Sequence, residues 1–161
     1  MKNNFQLPDT IQAIVFDFDG VFTDNTVLIH EDGRESVFCN RSDGLGISLL
    51  KKTGLHLLVL STEENTVVEK RCEKLGIPCI HGINNKKKSL ETWLKKHEVD
   101  PDNVVYIGND INDIDCIKFV GCGVAVSDAH EDIKKLSKII LTKRGGHGAV
   151  RELCELVLSR L

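Results

Sequence analysis

The sequence predicts an α/β fold: a Rossmann-like three-layer sandwich with a mostly parallel sheet and a β-hairpin flap after the first strand. Three observations carry this expectation. Short apolar runs rich in β-branched residues alternate with stretches of helical period, the pattern of parallel sheets built from repeated crossovers. An Asp-Gly pair between two such runs near the start is a strong hairpin signal. A length of 161 residues with 41% hydrophobic content suffices for one substantial core and leaves no room for two.

Each element follows from local pattern. Ile11 to Phe16 reads as a central strand, apolar on both faces and ending at Asp17. VLIH and ESVFC flank Glu31-Asp32-Gly33, which predicts a hairpin over 27–39. Asp43 precedes GLGISLLKK, whose Leu45, Leu49 and Leu50 suit one helix face, with Gly54 as a stop. LHLLVL at 55–60 is a buried strand; Asn65 caps a helix to Leu75, Gly76 closes it, and IPCI at 77–80 is a short strand. Trp93, spaced helically with Leu90 and Leu94, reads as core. NVVYI at 103–107, a helix near 111–119, GVAV at 123–126, a helix near 130–136, KIIL at 138–141 and a helix from about Gly148 to Leu158 continue the alternation. No repeat, low-complexity tract or linker interrupts it, so 1–161 reads as a single domain.

Composition excludes several classes. A formal net charge of −3, with one short cationic run at Lys86-Lys87-Lys88, gives no field for nucleic acid. MKNNFQLPDT has no apolar signal segment, and no window approaches the roughly 18 to 20 apolar residues that span a bilayer. The expectation is a cytoplasmic protein with neither membrane nor nucleic acid as partner. The six cysteines are scattered, never in CxxC or zinc spacing, and read as reduced core residues.

Ligands of open parallel sheets bind beyond the carboxyl ends of the strands, so the residues after each strand are candidates for one shared site. The first strand leads into IVFDFDGVFTD, with Asp17, Asp19 and Asp24 in close succession. A turn uses an Asp-Gly pair and has no need of Asp17. Two carboxylates converging there repel unless a cation or proton is shared, which makes a divalent metal the economical explanation. Ser61 ends LHLLVL; His81, Gly82 and then Lys86 follow IPCI; Asn109, Asp110 and Asp113 follow NVVYIG. Acids, a hydroxyl and an ammonium are the parts that hold a phosphoryl group and a metal ion together. His30, His56 and His97 have no partners by spacing, whereas His81 and His147 stand beside glycines near the expected site.

DFDGVFTD, Ser61, Lys86 and GNDxND at 108–113 resemble, in order, the four motifs of the haloacid dehalogenase superfamily of phosphohydrolases. More narrowly, RSDGLGISLLKKTG at 41–54, HGINNK at 81–86 and RGGHGAVRELC at 144–154 resemble its branch without a cap domain that acts on 3-deoxy-2-ulosonate phosphates. That branch holds octulosonate 8-phosphate phosphatases, sialic-acid-type 9-phosphate phosphatases and the phosphatase-like tail of acylneuraminate cytidylyltransferases. The resemblance implies a magnesium-dependent phosphatase whose partner is a small-molecule sugar-acid phosphate. Asp17 is then the nucleophile, forming an aspartyl-phosphate, and Asp19 the acid and base, while Ser61 and Lys86 hold the phosphoryl group. The implied Mg2+ ligands are Asp17, the carbonyl of Asp19, and one of Asn109, Asp110 and Asp113. Asn109 stands where many relatives carry Asp, which withdraws one negative charge. Thr23, Arg41, Asp43, Gly44, Thr62, Arg144 and His147 are the implied substrate-binding residues.

No cap fits in the short hairpin segment between Asp24 and Asp43, or in the one helix and one strand between Ser61 and Lys86. An open site leaves an aspartyl-phosphate exposed to water, so another surface must cover it. In the relatives without a cap a tetramer does so, and a homotetramer is expected here. The tail from Lys143 to Gly148 offers glycines for flexibility and cations suited to a sugar carboxylate. Two other readings compete. A signalling receiver domain places its phosphoacceptor after the third strand, whereas the corresponding strands here end in Ser61 and His81. A catalytically weak or inactive assembly domain, like the cytidylyltransferase tail, is the other; the lack of a transferase half favours a free-standing enzyme.

Overall fold

A computed structural model describes residues 7–161; the expectation drawn from MKNNFQLPDT falls mostly on residues outside these. The chain runs β1 (Ala13–Phe16), a hairpin of β2 (Leu28–Ile29) and β3 (Glu35–Ser36), α1 (Arg41–Leu50), β4 (His56–Leu60), α2 (Val67–Leu75) and β5 (Cys79–Ile80). It continues through α3 (Lys86–Lys96), β6 (Val104–Gly108), α4 (Ile114–Phe119), β7 (Cys122–Ala125), α5 (Glu131–Leu136), β8 (Ile139–Ile140) and α6 (Ala149–Leu158). Six strands form one parallel sheet in the order β5-β4-β1-β6-β7-β8. From β1 the chain steps outward to β4 and β5, returns across the sheet to β6, and steps outward again. Right-handed crossovers then put α1 and α2 on one face and α3, α4 and α5 on the other. The C-terminal α6 packs on α1, which completes the three layers.

This topology fixes where a site can form. The direction of winding reverses between β1 and β6, and ligands of such sheets bind outside the carboxyl ends at that point. Every side chain of β1 and β6 is buried, which is why both strands are almost continuously apolar. The Asp17 amide donates to the Ile107 carbonyl at 3.0 Å, so the ladder persists up to the residue whose carboxylate leaves the sheet.

The helix after the hairpin differs in phase from the sequence expectation. Asn40 is the cap of α1, its Oδ1 accepting from the Ser42 amide at 2.9 Å, and the helix therefore starts at Arg41 ahead of Asp43. Its inward stripe is Asp43, Gly46, Ile47 and Leu50, while Leu45 and Leu49 face outward. The cause is the close approach of α6: a side chain on Gly46 would press on Cys154 and Arg151, so this turn must face α6. The hairpin is present but short, pairing Leu28 with Ser36 and Ile29 with Glu35, with a further bridge from Thr23 to Cys39. Val27, Leu28, Ile29 and Phe38 are exposed on it, Phe38 to 77%. The expected helix near 111–119 opens as a single 3-10 turn, Ile111–Asp113, before α4. All six cysteines are unpaired, and among the described residues no helix is long and apolar enough to cross a membrane.

Asp43, expected to touch substrate, instead caps α6. Gly148 at the start of α6 has no side chain to offer, and Asp43 Oδ1 accepts from the Arg151 amide at 3.0 Å. The carboxyl is fully buried, and burial pushes its pKa up to about 6, against the Arg151 amide and the Arg71 charge that pull it down. Because the folded value lies above the ordinary 3.8, this group's contribution to stability is complete below that value and is lost as pH rises through about 6. Asp43→Asn keeps an oxygen for the Arg151 amide and removes the ionisation. The variant is expected to gain on wild type by up to about 3 kcal/mol between acid and neutral pH, read by urea denaturation. An unchanged difference across that range would show that Asp43 does not titrate there.

Candidate active site

Three strand ends meet at the reversal point. Asp17 and Asp19 follow β1, Ser61 and Thr62 follow β4, and Asn109 and Asp110 follow β6. With Asn25, Ile111 and Asn112 they line a cleft of about 300 Å³. Beneath it lies a buried network. Lys86, the first residue of α3, turns its ammonium inward to Asp17 Oδ1 at 2.7 Å and Asp113 Oδ1 at 2.8 Å. Asn85 caps that helix and so fixes where Lys86 begins. Asp17 Oδ1 also accepts from the Phe18 amide at 2.7 Å.

The electrostatics of this network are set by burial. Burial and the neighbouring Asp113 carboxylate push Asp17 up, while Lys86 and the Phe18 amide pull it down. Burial also disfavours the Lys86 charge, yet the two carboxylates outweigh it and hold the ammonium above its ordinary value. This firmly kept ammonium, 2.7 Å from Asp17 Oδ1, is the charge that favours the ionised form of Asp17 against its burial. Asp19 behaves differently. Burial, then the Glu63 carboxylate, then Glu35, push it up against Lys86, which favours a protonated Asp19 relative to an ordinary carboxyl. Glu35 and Glu63 belong to a second depression that shares Asp19 and Asn25 with the cleft and runs under the hairpin.

Asp113, an expected metal ligand, has another role. Its Oδ1 accepts from Lys86 and from the Tyr106 hydroxyl at 2.6 Å, and its Oδ2 from the amides of Asn109 at 3.0 Å and Asp110 at 3.3 Å. Four donors occupy its lone pairs, and it lies outside the cleft lining. Asp113 therefore orients Lys86 and the motif-four backbone. Tyr106, a buried tyrosine in the middle of β6, is the partner that sequence reasoning missed.

The other expected substrate contacts divide. Thr62 lines the cleft. Thr23 is buried and staples its own turn, its Oγ1 accepting from the amides of Gly20 at 3.1 Å and Asn25 at 3.2 Å. Arg41 and Gly44 line a separate cleft between α1 and α2, of about 530 Å³, with Lys51, Arg71 and Lys74. Arg144 pairs with Asp128 at 3.4 Å, and His147 Nδ1 lies 2.9 Å from the Gly145 carbonyl. Neither reaches the cleft of its own chain, because the glycines between them pack on the Gly20–Asp24 turn.

The cleft suits a hard divalent cation. Three carboxylates line it and no cation does, so a phosphate ester entering it needs charge neutralised from outside the protein. Asp17, the Asp19 carbonyl, Asn109 and Asp110 supply only oxygen. Among the described residues no three His, Cys, Asp or Glu side chains gather into a metal cage. A sparse oxygen set that leaves positions for water fits magnesium better than calcium or zinc. Asn109→Asp adds a charge to that set and is expected to tighten magnesium binding by about tenfold, measured by titration calorimetry. Unchanged affinity would mean that Asp110 alone supplies the side-chain oxygen after β6.

Comparisons with known proteins agree with this geometry. The haloacid dehalogenase-like hydrolase family matches residues 77–153. The 3-deoxy-D-manno-octulosonate 8-phosphate phosphatase KdsC of Escherichia coli K12 is 33% identical over 151 residues, 93% of this chain and 80% of that protein. N-acylneuraminate cytidylyltransferase A of Danio rerio is 29% identical, and the match covers 94% of this chain but 36% of that protein. Among solved structures, the 3-deoxy-D-manno-octulosonate 8-phosphate phosphatase of Moraxella catarrhalis, in complex with magnesium, phosphate and KDO, superposes with a TM-score of 0.93. It is 32% identical, over 97% of this chain and 90% of that one. The cobalt-bound Haemophilus influenzae enzyme superposes with a TM-score of 0.90 at 29% identity, over 94% and 90%. A reversal-point cleft with paired aspartates after the first strand, in a chain with these relatives, leaves one assignment: the protein belongs to the haloacid dehalogenase-like hydrolases, in the branch of the 3-deoxy-D-manno-octulosonate 8-phosphate phosphatases, and is a phosphatase of that family.

Proposed function

We propose that the protein hydrolyses the 8- or 9-phosphate of a 3-deoxy-2-ulosonic acid, with magnesium, through an aspartyl-phosphate on Asp17. The observation that carries the covalent step is the anchoring of Asp17. Its Oδ1 is held by Lys86 and the Phe18 amide, and its Oδ2 accepts no hydrogen bond among the described residues. The carboxylate attacks phosphorus as the bond to the sugar oxygen breaks, and Asp19 delivers its proton to that oxygen. Asp19, now a base, takes a proton from the water that cleaves the acyl-phosphate and frees orthophosphate, which restores both residues. Ser61 Oγ accepts from the Glu63 amide at 3.1 Å, which leaves its own hydrogen for a phosphoryl oxygen. Magnesium, held by Asp17, the Asp19 carbonyl and Asn109 or Asp110, supplies the charge that lets the ester approach three carboxylates.

The sugar assignment is supported by relatives named for octulosonate 8-phosphate and by the cytidylyltransferase match. The absence of space for a cap between Asp17 and α1, or between Ser61 and α3, together with the apolar exposed hairpin, supports a homotetramer in which a neighbour covers the cleft. Unpaired cysteines are in keeping with a cytoplasmic setting.

A substrate panel tests the reading: octulosonate 8-phosphate, sialic-type 9-phosphates, glucose 6-phosphate and an aryl phosphate, each with magnesium and with chelator. One ulosonate phosphate should exceed the generic esters in kcat/KM by about 100-fold or more, and chelator should abolish turnover of all of them. Light scattering on the same preparation should give four chains. Generic esters that match the ulosonates, or a fully selective monomer, would remove the substrate or the assembly assignment respectively.

A further inference from the structure

The segment Thr142–Gly148 lies against the turn that carries Asp19. The Gly145 amide donates to Asp128 Oδ1 at 2.9 Å, and the Gly146 amide donates to the Val21 carbonyl at 3.0 Å. A side chain on Gly145 would overlap the Gly20 carbonyl oxygen. One on Gly146, which has φ +73°, would overlap the Asp24 amide. On the other side of the same turn, a side chain on Gly20 would overlap the Asn109 amide group. Asn109, Gly20 and Gly145 thus stack in three layers with backbone at the centre and no room for one extra methyl at either contact.

The outer layer is tied down at several points. Glu152, in the first turn of α6, accepts from the Thr142 amide, the Thr142 hydroxyl and the Lys143 amide at 2.8–2.9 Å. The Ser127 amide donates to the Lys143 carbonyl at 3.1 Å. The start of α6 is itself pinned by Asp43 through the Arg151 amide. A segment anchored at both ends passes any displacement inward, to the turn between Asp19 and Thr23.

We infer that Thr142–Gly148 is a brace that sets the spacing between the Asp19 backbone and Asn109, and hence the geometry of the magnesium and phosphoryl site. Gly145, Gly146 and Asp128 are positioning residues. This role does not depend on which sugar leaves, and it rests on the phosphatase assignment and not on the ulosonate one. The glycines are required for close approach, where the sequence suggested flexibility.

The test compares wild type with Gly145→Ala and Asp128→Ala. Turnover is measured on an aryl phosphate and on octulosonate 8-phosphate, and magnesium affinity by calorimetry with beryllofluoride as phosphoryl mimic. Gly145→Ala should lower kcat on both esters by about 100-fold, because an ångström of misplacement at a reacting centre costs that much. Magnesium affinity should fall by about tenfold, and the ratio of kcat/KM between the two esters should stay within about threefold of wild type. Asp128→Ala removes the oxygen that holds the Gly145 amide without adding volume, and should show the same pattern at about threefold to tenfold. It decides the matter if Gly145→Ala fails to fold. A shift of the ester ratio beyond about tenfold would make the segment a reader of the sugar and overturn the inference. Unchanged magnesium affinity and kcat in both variants, with or without a lower melting temperature, would overturn it equally.

Discussion

Asp17→Asn is expected to abolish phosphate release while leaving the fold intact or firmer. The amide keeps an oxygen for the Phe18 amide but cannot attack phosphorus, and no second carboxylate can stand in. Asp19 is two residues on, and Asp113 has four donors on its oxygens and lies outside the cleft. Loss of a covalent nucleophile lowers turnover by about 10⁴-fold or more. Stability should move the other way. Burial and Asp113 raise Asp17 above its ordinary value, so its contribution is complete at low pH and is lost as pH rises. Removing that charge leaves Lys86 paired with Asp113 alone. Phosphate release and thermal melts at neutral pH check both halves. Activity above about 1% of wild type would end the aspartyl-phosphate mechanism, and a melting temperature lower by more than about 5 °C would end the account of strain at Asp17.

How much of this was legible in the sequence depended on whether local or distant chain decides. β1 and Asp17 were legible because a strand covered on both faces must be apolar throughout, so the first carboxylate after it marks its carboxyl end. The phase of α1 was not. Leu45, Ile47, Leu49 and Leu50 fit two overlapping helical stripes, and the choice between them is made by α6, a hundred residues away, pressing on Gly46. Arg41 and Gly44 illustrate a second limit, since a motif says which residues recur together and not which cleft they line. Lys86 was legible from its place after HGINN and not from its charge, since a run of lysines usually marks a solvated helix face. Successive helical residues point about 100° apart, so one of three lysines can be buried while Lys87 and Lys88 stay outside. Tyr106 had an available signal: a hydroxyl inside VVYIG, a strand buried on both faces, needs a partner, and the nearest acids follow that strand.

Lys86→Met should be the most damaging single change to stability, and its cost should depend on pH. The methionine matches the lysine stem in length and leaves two buried carboxylates, formerly 2.7 and 2.8 Å from one ammonium, with no cation between them. Asp113 keeps three donors, Tyr106 and the amides of Asn109 and Asp110, whereas Asp17 keeps only the Phe18 amide. Breaking one partner from a buried ion pair costs about 3–5 kcal/mol, a large share of the roughly 5–15 kcal/mol that holds a domain folded. The sign with pH follows from the carboxylates. With Lys86 gone, the burial that already raises Asp17 above its unfolded value is opposed by the Phe18 amide alone. Stability is then greatest where Asp17 is protonated and is lost as pH rises through its folded value. In wild type the raised pKa of Lys86 puts its own loss above the neutral range. Urea denaturation at about pH 5 and pH 8 should therefore show a smaller deficit at the lower pH and the full one at the higher. A deficit below about 1 kcal/mol, or one equal at both pH values, would mean that Asp17 and Asp113 are not held together by this ammonium.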